Sequence, residues 1–415
     1  MLRIQFKTFL CGIFMFSFIH GFAQQQPTKR ICDTIHYEFI QGKIVIPVVV
    51  NGVKVKYIVD TGGQTGTDWE HVKAMGGVAT GASRSISDHN DMKELYQIAE
   101  VENVQLSPNY TLSKMKTMLR NINILLILVM AFPIIAISCS DDDSSAANLS
   151  FSRSIYILGI LGGDAFAQSV VTFDARKQIM VINYPYRPDR LKITEGVEMF
   201  PGDTHHSIIN VNLGGVEKQV LFDTGADGFL LLTANDFKDI EAAGKGEKTA
   251  HGFGINGVGL EGLSHPVDMN KVNVKEMTVL GKKFTNAGSV ISDKSTTLVG
   301  VDLLQYGKVV IDYMRNRFYF FPFDSEIADM GGAPKTWNVS ILPANERFEI
   351  TTVWDSMKDV VNFGDQVVDI NGTDITKFPM SQPAVDSVMN AIKENVGYIV
   401  VLKDGQKKKI EIRRE

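Results

Sequence analysis

The tripeptide Asp-Thr-Gly occurs twice in this chain, at Asp60-Thr61-Gly62 and Asp223-Thr224-Gly225, and each copy closes a similar run of residues. Sliding one copy onto the other by 163 positions needs no gap: Val48, Val50, Gly52, Val53, Ile58 and Val59 fall on Val211, Leu213, Gly215, Val216, Leu221 and Phe222. Each copy reads as a strand, a tight Asn-Gly or Gly-Gly turn, and a second strand that delivers an aspartate into a sharp glycine turn. An internal repeat presenting one carboxylate per copy is what a two-carboxylate site on a pseudo-twofold axis requires.

A second element is repeated downstream. Ile160-Leu161-Gly162-Gly163-Asp164 follows the first copy and Leu298-Val299-Gly300-Val301-Asp302 the second, at an offset of 138, so the first copy carries about 25 extra residues. The surplus coincides with a basic start at Met115-Lys116-Thr117-Met118-Leu119-Arg120, a nearly unbroken apolar run over 122–137, then Ser138-Cys139 and an acidic, Ser-rich stretch. This segment, 115–150, resembles a bacterial lipoprotein signal displaced into the chain. It is expected either to project from the first half, associating with a membrane through 122–139, or to be a foreign leader joined in by fusion. Asp164 and Asp302, at strand ends, read as turn or cap residues.

Composition bounds the remaining possibilities. At 415 residues the chain is long enough for two or three cores. Its net charge of −5 and scattered lysines and arginines offer no nucleic-acid surface. Residues 1–23 have a basic, then apolar, then small-residue layout, which reads as a cleaved signal peptide and implies an exported protein, periplasmic, outer-envelope or extracellular. Cys11 would leave with that leader, and Cys32 and Cys139 make neither a disulfide framework nor a metal site. His205-His206 lacks a spaced partner and reads as a solvated loop. No cofactor and no metal is implied.

Between 44 and 323 the pattern is alternating apolar residues and short Gly/Asn turns, hence mainly β. Two carboxylates held close cannot both ionise, so one stays protonated while the other remains a base; together they can hydrolyse a peptide without a metal or a nucleophilic side chain. Val220-Leu221-Phe222-Asp223-Thr224-Gly225-Ala226-Asp227 with Leu298-Val299-Gly300 resembles the retropepsin family of aspartic proteases, and the paired copies resemble the bilobal pepsin-type arrangement. The resemblance covers roughly 36–325. It implies two acid-protease-like β lobes, 33–190 and 191–325, with Asp60 and Asp223 as the catalytic dyad. Thr61, Gly62, Thr224 and Gly225 support them, and a peptide or protein is the substrate. It also points to His251-Gly252-Phe253-Gly254-Ile255-Asn256-Gly257 as a substrate-covering hairpin. The first copy departs from the pattern at Gly63-Gln64-Thr65, and over 76–91 it lacks a Gly-rich hairpin.

Gly331-Gly332-Ala333-Pro334 reads as a linker to a small α+β unit, 334–415, with a strand at 348–353, a helix at 384–394 and a hairpin over 398–412. Gly364-Asp365 and Val368-Asp369-Ile370-Asn371-Gly372 resemble a PDZ domain, which implies a C-terminal-peptide ligand, although Glu346 stands where a carboxylate would be received. Two alternatives remain open at this stage. One is an inactive bilobal peptide-binding protein. The other is a protease active only as a dimer through its second lobe, should Asp223 stand alone.

Overall fold

The computed structural model of the chain describes residues 29–40, 42–87, 93–119, 157–255, 258–259, 262–291, 296–333, 335–403 and 405–415. Both copies of the repeat form antiparallel hairpins, Lys43–Val50 with Val53–Val59 and Ser207–Leu213 with Val216–Asp223. Their turns need two consecutive left-handed residues, and Asn51-Gly52 and Gly214-Gly215 supply them at φ of 48° and 85°, and of 63° and 89°. Such turns match the twist of the flanking strands, and only Asn, Asp or Gly enters them cheaply.

Beyond each hairpin the chain repeats itself again. The aspartate-bearing strand lies parallel to the apolar-apolar-Gly strand, Val59 opposite Leu161 and Phe222 opposite Val299. A two-residue strand beyond each loop, Gly66–Thr67 or Leu230–Leu231, returns antiparallel on that strand's far edge. The loop is thereby pressed against the third residue of the apolar motif. A Cβ at Gly162 would come 2.5 Å from the Gly63 carbonyl, and one at Gly300 2.7 Å from that of Ala226, so glycine is required in both. A short helix follows in each half, Trp69–Ala74 capped by the Asp68 side chain and Ala234–Ala242 capped by that of Thr233.

Each half then forms a long hairpin, Val78–Ser87 with Lys93–Ser107 in the first lobe and Gly246–Gly254 with Val267–Val279 in the second. Beneath both lobes runs a six-stranded sheet drawing three strands from each half, joined where Val171 faces Ile311. One continuous apolar core spans the two lobes, with Phe222 packed edge-to-face on Phe318 at 5.4 Å between centroids. Burying a side chain of that size is worth about 1.5–3 kcal/mol.

The chain is mainly β, as expected. Three expectations need correction. Residues 115–119 do not begin an excursion; they complete the strand Tyr110–Leu119, whose alternation buries Met115 and Thr117 and exposes Lys114 and Lys116, with Met118 buried as well. The first lobe does possess a hairpin over 78–107, built without the glycine-rich signal. Gly331 and Gly332 close a strand, Ala328–Gly332, that pairs with Lys282–Ile291 of the second lobe, so the sheet extends past 325 into the expected linker. Residues 1–23, 122–139 and 256–257 lie outside the described residues, and with them the leader, the apolar run and part of the expected hairpin tip. No helix among the described residues is long and apolar enough to cross a membrane.

The last unit is α+β. Strands Val339–Ala344, Arg347–Trp354, Gln366–Ile370, Val396–Lys403 and Gln406–Arg413 surround the helix Gln382–Ala391 with a separate core that includes Phe348, Ile370 and Ile399. The helix stops three residues short of the expected 394.

The strands Tyr110–Leu119 and Ile157–Leu161 flank Gly66–Thr67 on opposite edges. Two strand spacings separate them, roughly 10 Å, which about three extended residues can bridge. Replacing 120–156 with about six Gly/Ser residues should therefore shift the thermal midpoint by no more than about 4 °C. A deletion that starts at 115 should abolish the cooperative transition, because it removes buried Met115 and Met118. Calorimetry on the two deletion variants distinguishes these outcomes.

Candidate active site

The two Asp-Thr-Gly loops meet at the junction of the lobes and are tied by four reciprocal hydrogen bonds. The Thr61 N–H donates to Thr224 Oγ1 at 3.1 Å, and the Thr224 N–H donates to Thr61 Oγ1 at 3.1 Å. Each hydroxyl then donates across the axis to a backbone carbonyl, Thr61 to Phe222 at 2.8 Å and Thr224 to Val59 at 2.7 Å. Every threonine hydroxyl is used as donor and acceptor, and both residues are buried. A serine could repeat the hydrogen bonds; no residue without a hydroxyl could.

The grip fixes the aspartates. Within each loop the glycine N–H donates to its own aspartate, Gly62 to Asp60 Oδ1 at 3.0 Å and Gly225 to Asp223 Oδ1 at 2.7 Å. Each glycine also lies under the opposite carboxyl. A Cβ on Gly62 would come 2.5 Å from Asp223 Oδ2, and one on Gly225 would come 2.6 Å from Asp60 Oδ1. The glycines that look like turn residues in sequence are thus the floor that lets two carboxyls approach. Desolvation in this floor pushes the Asp223 carboxyl well above the ordinary carboxylate range. The charge of Asp60 and a hydrogen bond with it push the same way, while the Gly225 N–H and Lys43 pull back. Asp60 and Asp223 are brought together, and Asp223 does not stand alone.

Further groups complete the surroundings, and the repeat hid them. Lys43, from the first lobe, donates to the Gly225 carbonyl at 2.6 Å and to Asp227 Oδ1 at 2.7 Å, tying its strand to the opposite loop. The position 163 residues on is His206, and the residues before them, Gly42 and His205, share a left-handed backbone at φ of 74° and 58°. His206 is half-buried, near enough to Asp60 and Asp164 for their charges to act on it, so it is not the solvated loop expected from the sequence. Burial pushes its imidazole below the ordinary histidine range, against the pull of both carboxylates. Asp164 does more than cap a turn. Its Oδ1 accepts from both the N–H and the hydroxyl of Thr65, each at 2.9 Å, and Thr65 Oγ1 in turn accepts from the Gly162 N–H at 3.1 Å. This brace supports the departing Gly63-Gln64-Thr65 turn of the first copy. Asp302, in the first turn of the short helix that follows Gly300, accepts instead from the Gln305 side chain at 2.8 Å and does not cap the helix.

No family model matches the chain, and no curated protein matches it. Among solved structures, the chain is similar to an aspartic proteinase from Irpex lacteus, with 13% identity and a TM-score of 0.38 over 70% of this chain and 97% of that one. It is also similar to a retropepsin-like aspartic protease from Rickettsia conorii, with 13% identity and a TM-score of 0.23 over 38% of this chain and 92% of that one. At scores this low the paired loops themselves must carry any functional reading.

Replacing Thr224 with Val leaves the Thr61 N–H and the Val59 carbonyl buried without partners. Each such group costs about 1–3 kcal/mol, so Thr224→Val should lose roughly 2–6 kcal/mol. Thr224→Ser should stay within about 1 kcal/mol of the parent, since it keeps both bonds. Denaturant unfolding measures both; a serine variant that loses as much as the valine variant would show that the hydroxyl alone does not account for the grip.

Proposed function

We propose that this protein is an aspartic endopeptidase in which Asp60 and Asp223 share one proton and activate a water. The observation that carries the reading is the pair of Asp-Thr-Gly loops locked face to face by reciprocal threonine bonds, each glycine lying under the opposite carboxyl. Asp223, held protonated by its surroundings, is the acid, and the Asp60 carboxylate is the base. Asp60 takes a proton from the water as its oxygen forms a bond to the scissile carbonyl carbon, while the proton of Asp223 passes to the carbonyl oxygen. The tetrahedral adduct collapses with proton transfer to the amide nitrogen. The C–N bond breaks, a carboxylic acid and an amine leave, and the dyad again holds one proton.

The substrate is an extended peptide lying between the two long hairpins. The same proposal includes an exported location, drawn from 1–23, and a PDZ-like C-terminal unit whose edge strand Val339–Ala344 accepts a peptide. That strand pairs only with Arg347–Trp354 among the described residues, and an unpaired edge is what strand addition needs.

Two measurements test the reading. Asp223→Asn should lower peptide hydrolysis by at least about 10³-fold without unfolding the chain. Activity should fall as pH rises through the raised Asp223 value, because the acid is then lost. Stability supplies the independent check. The folded chain keeps the Asp223 proton over a range where the unfolded chain has released it, so stability should fall as pH rises from about 4 towards the raised value. Asp223→Asn should flatten that slope and leave the protein more stable near neutral pH. A variant that still cleaves, or an unchanged slope, would overturn the assignment.

A further inference from the structure

The two long hairpins are equivalent by repeat but not by environment. In the first lobe Val78–Ser87 is an edge strand, paired only with Lys93–Ser107 among the described residues. In the second lobe the corresponding strand, Gly246–Gly254, is covered along its outer edge by Arg347–Trp354 of the C-terminal unit. Gly252 pairs with Trp354, Phe253 with Val353 and Gly254 with Thr352, which fuses the second-lobe sheet to that of the C-terminal unit.

The contact continues to the point where the strand gives way to the hairpin tip. The Ile255 N–H donates to the Thr351 carbonyl at 2.8 Å, and Thr352 Oγ1 donates to the Ile255 carbonyl at 3.0 Å. His251 faces Asp355 at 3.1 Å, and Phe253 packs on Phe363 with centroids 5.8 Å apart. The other strand of the hairpin is held as well. Lys271, buried, donates to the Glu415 backbone oxygen at 2.5 Å, and its ammonium lies 4.7 Å from the centre of the Trp354 ring.

The alternating glycines of this strand follow from the same approach. A Cβ at Gly252 would come 2.7 Å from the Trp354 ring, and one at Gly254 would come 2.5 Å from Thr352 Cα, at a φ of 149° that side chains rarely adopt. In sequence, Gly252 and Gly254 mark the stretch that the resemblance assigns to a substrate-covering hairpin. In the fold they are the places where another strand passes too close for a side chain.

We propose that the C-terminal unit is a brace that holds the second-lobe hairpin in place for substrate binding. Gly254, Thr352 and Lys271 are positioning residues in this scheme. The inference rests on the peptidase reading, because a hairpin that covers no substrate has nothing to position. A braced hairpin binds peptide without having to be ordered first, so loosening it raises KM and spares the chemical step.

The test uses the full chain and two variants, Gly254→Val, which forces the strands apart, and Lys271→Met, which keeps the packing on Trp354 but loses the Glu415 bond. In the parent, amide exchange over 247–255 should be at least about tenfold slower than over 79–86. Either variant should speed exchange over 252–255 about tenfold, raise KM for a quenched-fluorescence peptide about fivefold, and leave kcat and its pH profile within about twofold. Faster exchange with unchanged KM overturns the brace, as does exchange that neither variant alters. Exchange needs no turnover, which separates the two readings. A chain that cleaves no peptide sinks the dyad, while slow exchange over 247–255 that the variants release still upholds the brace.

Discussion

Four hydrogen bonds between two threonines and the backbone of the opposite loop decide what the rest of the structure can do. They are buried and reciprocal, and each hydroxyl takes part in two of them, so losing a hydroxyl strands polar groups of the opposite loop away from water. Because each bond crosses from one lobe to the other, the lobes cannot separate or slide without breaking all four together. The close approach of each carboxyl to the opposite loop, and the upward push on Asp223, are consequences of that registration. The six-stranded sheet beneath the lobes makes the registration possible by joining them where Val171 meets Ile311.

Much of this was legible because it is local. Asn51-Gly52 and Gly214-Gly215 announce turns that only such residues can make, and the Asp-Thr-Gly copies announce themselves by identity. Gly162 and Gly300 were visible as motif residues, although their reason, the pressure of a neighbouring backbone, appears only in three dimensions. Lys114 to Met118 misled because a strand with lysines outside and methionines inside shares its composition with a basic leader. The period of two was present and was outweighed by the apolar run that follows it.

What stayed hidden is long-range. Lys43 and His206 occupy matching places, but lysine and histidine do not align by eye, and neither lies inside the repeated motif. The pairing of Gly246–Gly254 with Arg347–Trp354 joins residues about a hundred positions apart, and neither strand carries a mark of its partner. Glycine in a strand has two opposite uses, freedom and close approach, and sequence alone does not separate them.

The mismatch between Lys43 and His206 has a wider consequence. Two identical chains meeting on a true twofold axis must place the same residue at both positions, so any change made for one side of the cleft is imposed on the other. Here the halves are covalently joined and free to diverge. One loop is met by the Lys43 side chain, bonded to Gly225 and Asp227, the other by the half-buried His206 imidazole near Asp60 and Asp164. Fusion therefore gives the polypeptide a handedness that a dimer lacks. A ligand running in one direction across the cleft meets a different sequence of charges from one running in reverse, and direction itself becomes a property on which selection can act.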